Sequence, residues 1–256
     1  MELNRIYNED CMEGMKIIPD GSVDCIICDL PYGVLNKQSE GGSWDSVIPL
    51  DALWQQYSRI AKPNAAILLF GQGLFTAKLM LSNEKHWRYN YVWNKQKVTG
   101  FLNAKKMPLK QTEIISVFYK ELPTYNPQMR RCQYHERNHS RGKQEGDMTN
   151  RCYGKFGKAE DVITDEKYPT DIVSFLRNVH RDNEHPTQKT VELIQYFVRT
   201  YTNIGDTVMD NCMGSGTTAI ACIREKRNFI GFETDASYYE KANKRIREEL
   251  SHPTLF

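Results

Sequence analysis

At 256 residues the chain is long enough for one substantial hydrophobic core with room for an inserted module. Hydrophobic residues make up 40% and charged residues 26%; no apolar run approaches the roughly 20 residues that cross a bilayer, and no apolar signal segment follows Met1-Glu2-Leu3-Asn4-Arg5, so a cytoplasmic protein without membrane contact is expected. A formal net charge of +2, with a pI of about 8.1, neither demands nor excludes a nucleic-acid partner.

In chain order, the first expected strand is Arg5–Asn8, ending at Glu9-Asp10, followed by a helical stretch from Cys11 to Ile18 that stops at Pro19. Ser22–Asp29 is a short apolar run between a turn and Pro31-Tyr32-Gly33, the pattern of a buried parallel strand. Leu35–Ser46 reads as a polar, glycine-rich loop, Leu50–Ile60 as a helix ending before Pro63, Ala65–Gly71 as a strand and Leu74–Leu81 as a helix. Strands at Arg88–Trp93 and Glu113–Tyr119 flank a second polar loop, Asn94–Lys110.

Composition changes near Lys120. From Tyr125 to Lys158 eight basic residues stand against three acidic ones, a balance of +5 interleaved with Tyr125, Tyr134, Tyr153 and Phe156, and neither a helical nor a strand period is present. An irregular basic insert is expected, either a nucleic-acid surface or a solvated excursion. Alternation then resumes: a helix over Thr187–Tyr201, a strand over Asp206–Asp210, a tight loop at Asn211–Gly216, a helix over Thr217–Lys226, a strand over Arg227–Glu233 and a charged helix over Ala236–Leu250. This order predicts an α/β fold with a doubly wound, mostly parallel sheet.

Seven cysteines with irregular spacing argue against a disulfide framework. Cys25-x-x-Cys28 sits within an apolar run, and Cys132 with His135 and His139 lacks a second cysteine pair, so no metal site is expected.

Gly214-Ser215-Gly216 falls between a strand and a helix, where glycine permits unusual backbone angles and close approach of a ligand. Glu233, 19 residues on, ends the next strand, where a carboxylate accepts ribose hydroxyls. The pair marks a site for a nucleoside-bearing cofactor, NAD or S-adenosylmethionine equally, since Gly214–Ala219 also satisfies the dinucleotide pattern. Asp10 ends a strand at the same edge, as a ligand contact or as the cap of the helix at Cys11.

Asp29-Leu30-Pro31-Tyr32 leaves a buried strand at that edge too. An aromatic amine is a poor nucleophile because its lone pair is delocalised. The Asp29 carboxylate and the Pro31 carbonyl would accept its two N–H groups, free the lone pair and stabilise the charge that builds on nitrogen as a methyl arrives. Tyr32 would stack on the base. A base in duplex DNA reaches such a pocket only by flipping, and Lys95, Lys97, Lys105, Lys106 and Lys110 in the second loop would meet phosphates or simply solvate the loop.

These segments resemble the amino-methyltransferases of DNA in which the catalytic motif precedes the cofactor motif. Asp29-Leu30-Pro31-Tyr32 resembles their Asp-Pro-Pro-Tyr tetrad. Asp210–Thr218 resembles the Asp-Pro-Phe-x-Gly-Ser-Gly-Thr-Thr cofactor loop, Glu184–Lys189 the segment that helps enclose the methionine part of the cofactor, and Asn8–Cys11 the strand end beside its adenine. The resemblance implies a Rossmann-like, circularly permuted S-adenosylmethionine-dependent methyltransferase fold: a catalytic half over 1–121, a target-recognition insert over 122–183 and a cofactor-binding half over 184–256. It implies catalysis by Asp29, Pro31 and Tyr32. The implied cofactor contacts are Asp10, Cys11, Asp29, His185, Lys189, Asp210, Cys212, Gly214, Ser215, Gly216, Thr217 and Glu233. The implied partner is double-stranded DNA, methylated by a monomer or homodimer of the restriction-modification kind. Leu30 departs from the tetrad's proline and Asn211-Cys212 from Pro-Phe, which puts the tetrad backbone and the packing on the cofactor ring in question. Aspartate at the first tetrad position implies adenine-N6 transfer. Cytosine-N4 transfer, RNA methylation and NAD-dependent oxidoreduction are the alternatives.

Overall fold

Short strands that each lead into an acid build one half of the central sheet. The computed structural model describes residues 1–33, 46–131, 148–150, 154–156, 165–177 and 188–251. Its strands are β1 (Arg5–Tyr7), β2 (Val23–Cys28), β3 (Ala61–Gly71), β4 (Trp87–Thr99), β5 (Lys110–Phe118), β6 (Arg130–Arg131), β7 (Met148–Asn150), β8 (Gly154–Phe156), β9 (Glu166–Lys167), β10 (Ile172–Ser174), β11 (Thr207–Asp210) and β12 (Asn228–Phe232). The α-helices are α1 (Cys11–Gly14), α2 (Leu50–Ile60), α3 (Leu74–Ser82), α4 (Val191–Tyr201), α5 (Thr217–Arg224) and α6 (Ala236–Ser251).

Eight strands form one sheet in the order β1-β12-β11-β2-β3-β5-β4-β10. Pairing is parallel except where β5 lies antiparallel between β3 and β4. The expected doubly wound, mostly parallel sheet is present. Alternation along β2 sends Cys25 and Ile27 into a core with α4, α5 and α6, and Ile26 and Cys28 into a core with α1, α2 and α3. Both faces are therefore covered, as parallel strands require. Cys25 and Cys28 are divided between opposite faces and cannot share one ion. On α2 the core-facing side chains Leu53, Trp54, Tyr57 and Ile60 follow helical spacing, each burial stabilising by about 1.5–3 kcal/mol.

The carboxyl ends of β1, β2, β11 and β12 lie along one edge of the sheet. They deliver Asp10, Asp29, Asp210 and Glu233 respectively. Between β11 and β2 the strand order reverses, the place where open α/β sheets bind ligands.

Two expectations need correction. The polar stretch after Trp93 is not all loop: β4 runs on to Thr99 and re-pairs with Lys110 of β5. A register shift between Asn94 and Thr99 hides this in the sequence. Gln96 takes φ 57°, and its N–H donates to Asn94 Oδ1 at 3.0 Å. The helix expected from Thr187 starts at Val191, because the buried Thr190 hydroxyl caps it by accepting the Leu193 N–H.

Of the 122–183 segment, Ile172–Ser174 forms β10, parallel to β4 in the large sheet. Pro127–Pro169 forms a separate compact unit, with β6 antiparallel to β9 and β7 antiparallel to β8. Among the described residues no helix is long and apolar enough to cross a membrane.

Candidate active site

A cavity of about 650 Å³ opens along the acidic edge of the sheet, within the range of roughly 300–1,000 Å³ usual for cofactor pockets. Its lining includes Asp10, Cys11, Asp29, Pro31, Tyr32, Lys189, Asp210, Cys212, Gly214, Ser215, Thr217 and Glu233. Gly216 stands behind this wall. Its φ is 83°, and an added Cβ would lie 3.0 Å from Ala242 Cβ on α6. His185 lies outside the described residues, as do Cys132, His135 and His139 and most of the first polar loop.

Backbone hydrogen bonds hold the glycine loop. Asp210 accepts the Cys212 N–H at 3.0 Å and the Thr218 hydroxyl at 2.6 Å, and burial pushes its carboxyl up to about 6. Glu233 Oε2 accepts the Gly214 N–H and Oε1 the Asp235 N–H, each at 2.8 Å. Burial, offset in part by these two bonds, raises the Glu233 carboxyl above its usual value. A carboxylate offers about four lone-pair sites, and the Thr234 N–H is drawn to Glu233 as well, which leaves about one for a ligand's hydroxyl. Thr217 Oγ1 is buried in the cavity wall with no hydrogen-bond partner among the described residues. A carboxylate with acceptor capacity left and an unmet hydroxyl in one cavity fit a ribose-bearing cofactor.

Asp10 lines the cavity and also caps α1, its Oδ1 accepting the Met12 N–H at 2.7 Å and the Glu13 N–H at 3.4 Å. Asn211, where the resembled loop carries proline, is buried. Its Oδ1 accepts the Tyr57 hydroxyl and its Nδ2 donates to the sulfurs of Cys11 and Cys212. The departure is thus satisfied by a tyrosine of α2. Leu30, the other departure, is 3% exposed within the α1–α3 core, so apolar packing restrains the tetrad backbone in place of a proline ring.

Opposite the loop, Asp29 is clamped. Lys189 Nζ is 2.7 Å from its Oδ2, and the Tyr32 hydroxyl donates to Oδ1 at 2.7 Å. The Lys189 ammonium also lies 3.0 Å from Glu113 Oε2, and Lys95 Nζ is 3.2 Å from Glu113 Oε1. Charges alternate along this buried chain, so Glu113 balances the lysine that would otherwise offset Asp29. Burial pushes the Glu113 carboxyl up, but Lys189 and Lys95 outweigh it and hold the group below its usual value. Burial lowers the Lys189 ammonium, and Asp29 and Glu113 more than reverse this. The ammonium also sits over the Phe70 ring, 5.0 Å from its centroid. Tyr32 packs against Phe75 of α3, with ring centroids 4.9 Å apart.

Lys95, expected at phosphates, is 3% exposed and committed to Glu113. Strand alternation after Tyr91 and Trp93 turns its side chain inward, whereas Lys97, Lys105, Lys106 and Lys110 are exposed. Sequence reasoning passed over Glu113 and Tyr57, and took Asn211 only as a departure from proline. The one available signal was Glu113 itself, an acid at the head of the apolar run Ile114-Ile115.

Residues 23–244 match a family model described as DNA methylase. Over 284 aligned positions the chain is 28% identical to the Type II methyltransferase M.HinfI of Haemophilus influenzae, covering 98% of this chain and 70% of that protein. Among solved structures, an M1.HpyAVI–SAM complex superposes with a TM-score of 0.63 at 23% identity, covering 94% of this chain and 98% of that one. The cytosine-N4-specific PvuII DNA methyltransferase gives 0.65 at 14% identity, covering 95% and 90%. Both structural likenesses speak to the fold.

Proposed function

The chain belongs to the DNA methylase family, as an N6/N4 amino-methyltransferase, and from that premise we propose that it methylates the 6-amino group of adenine at a specific site in double-stranded DNA, using S-adenosylmethionine. The observation that carries this reading is Asp29, a carboxylate at the end of β2, clamped by Lys189 and Tyr32 in the same cavity as the Gly214–Gly216 loop and Glu233. S-adenosylmethionine, when bound, supplies an electrophilic methyl group. Glu233, Asp10 and the Thr217 hydroxyl are the groups offered to its nucleoside part, and Asp29 and the Pro31 carbonyl accept the two N–H bonds of the target amine.

Asp29 needs no proton of its own. Two of its lone-pair sites serve Lys189 and Tyr32, and the others are free to accept an amine N–H. As charge builds on the amine nitrogen, a carboxylate already fixed by Lys189 and Tyr32 stabilises it without reorganisation. Aspartate at the head of the tetrad favours adenine over cytosine in the resembled family. The exposed Arg130 and Arg131 of β6 belong to the basic segment that we assign to target recognition. The test is expression in a host lacking adenine methylation, followed by modification-sensitive sequencing of its DNA. Methylated adenine in a fixed sequence context is expected. Methylated cytosine N4 would establish the alternative, and unmodified DNA with folded protein that binds S-adenosylmethionine would end the reading.

A further inference from the structure

The antiparallel arm made by β4 and β5 starts in the cavity wall, where Lys95, Thr99 and Glu113 line the site. At its tip Gly100 takes φ 86° and starts a single 3₁₀ turn, Phe101–Asn103. Phe101 is 80% and Leu102 97% exposed, side by side at the far end. Between Gln96 and Thr112 the sequence carries four lysines and no acid, and all four lysine side chains are exposed. Two bare apolar side chains at the end of a purely cationic arm are unfavourable in water and have no core to join. They suit a polyanion with an apolar interior, which describes a duplex: phosphates outside, stacked bases within. Thr99 still lines the cavity, so Phe101 lies only two positions, at most about 7 Å of chain, beyond its wall, within reach of a base that enters it.

We propose that Phe101 and Leu102 are a wedge. On this view they enter the base stack and fill the gap left when the target base swings into the cavity, while Lys97, Lys105, Lys106 and Lys110 hold the flanking phosphates. The inference rests on the assignment of duplex DNA as substrate and adds the residues that keep the base extruded. Extrusion costs unpairing and unstacking, and an apolar side chain in the vacated space recovers part of the stacking. The wedge therefore matters in proportion to how firmly the target is paired.

That dependence supplies the test. The double variant Phe101→Ala/Leu102→Ala is compared with the parent on a duplex bearing the methylated sequence, and on the same duplex with an abasic site opposite the target. On the paired duplex kcat/KM should fall by at least about tenfold, and a 2-aminopurine at the target position should lose the fluorescence rise that extrusion gives. On the abasic duplex the variant should come within about threefold of the parent. Lys105→Gln/Lys106→Gln should instead weaken both substrates alike and flatten the salt dependence by about one unit of slope for each phosphate no longer neutralised. An undiminished rate of the Phe101/Leu102 variant on the paired duplex, or an equal loss on both duplexes, would overturn the wedge while leaving the methyltransferase assignment standing. A parent protein that methylates neither duplex would end both.

Discussion

Replacing Lys189 with methionine keeps the apolar stem of the side chain and deletes one charge. The ammonium lies 2.7 Å from Asp29 Oδ2 and 3.0 Å from Glu113 Oε2, with 9% of its side chain exposed, so salt screens it little. Glu113 would keep Lys95 at 3.2 Å, but Asp29 would keep only the Tyr32 hydroxyl. Stranding one member of a fully buried pair costs about 3–5 kcal/mol; Asp29 is 27% exposed, so the expected cost is about 2–3 kcal/mol, which in a chain of this size lowers Tm by roughly 4–12 °C. The pH dependence has a definite sign. The Glu113 carboxyl is held below its usual value, so its contribution is present above the unfolded value of about 4.3 and is lost as pH falls through the folded one. The Lys189 ammonium is held above its usual value, so its contribution is present below an unfolded value of about 10.4 and is lost as pH rises through the folded one. The stability gap between parent and variant should therefore hold from about pH 5 to about pH 10 and narrow below about pH 4 and above about pH 11. Thermal and urea unfolding at about pH 3.5, 7.5 and 11.5 measure it. The double variant Lys189→Met/Asp29→Asn, which strands no charge, should recover most of the loss. A gap below about 1 kcal/mol at pH 7.5, or one that does not vary with pH, would refute the charge-chain reasoning.

Three further outcomes are expected. Glu233→Ala should weaken S-adenosylmethionine binding by about 1.5–3 kcal/mol, a roughly 10- to 150-fold rise in Kd by calorimetry; an unaltered Kd would remove Glu233 from the cofactor site. Gly216→Ala combines φ 83° with a Cβ 3.0 Å from Ala242 and should cost about 1–3 kcal/mol in stability. An unchanged melting temperature would contradict the close packing of α5 on α6. Thr217→Val removes a buried hydroxyl that has no partner among the described residues, so the cofactor-free protein should melt at the same temperature or higher while cofactor affinity falls. Lower stability of the free protein with unchanged affinity would show that the hydroxyl serves the fold.

The parts of the fold that could be read from the sequence are those whose signal is local. β2 is a six-residue buried run between turns, and α2 spans Leu50–Ile60, as its apolar spacing indicates. The convergence of Asp10, Asp29, Asp210 and Glu233 followed from a topological rule, because parallel strands present their carboxyl ends together. What could not be read depends on register. Lys95 and Glu113 meet because β4 and β5 pair antiparallel with Trp93 opposite Glu113, which sets Lys95 next along the same face. No local pattern encodes that pairing, and Asn94–Lys110 therefore read as a loop with all its lysines outside. β10, three residues long, is too short to show a period and is held by parallel pairing with Val92–Asn94. Asn211 looked like a simple departure from proline; its role depends on Tyr57, 154 positions away.

The most direct test of the account is the chemical step itself in Asp29→Ala and Asp29→Asn. Single-turnover methylation is measured at saturating S-adenosylmethionine on a duplex carrying the target sequence, beside thermal unfolding of each variant. If Asp29 stabilises the charge developing on the amine nitrogen, alanine should slow methyl transfer by at least about a hundredfold. Asparagine, which keeps an oxygen acceptor without the charge, should retain a rate between alanine and the parent. A folded Asp29→Ala protein that transfers methyl at near the parent rate would contradict the account.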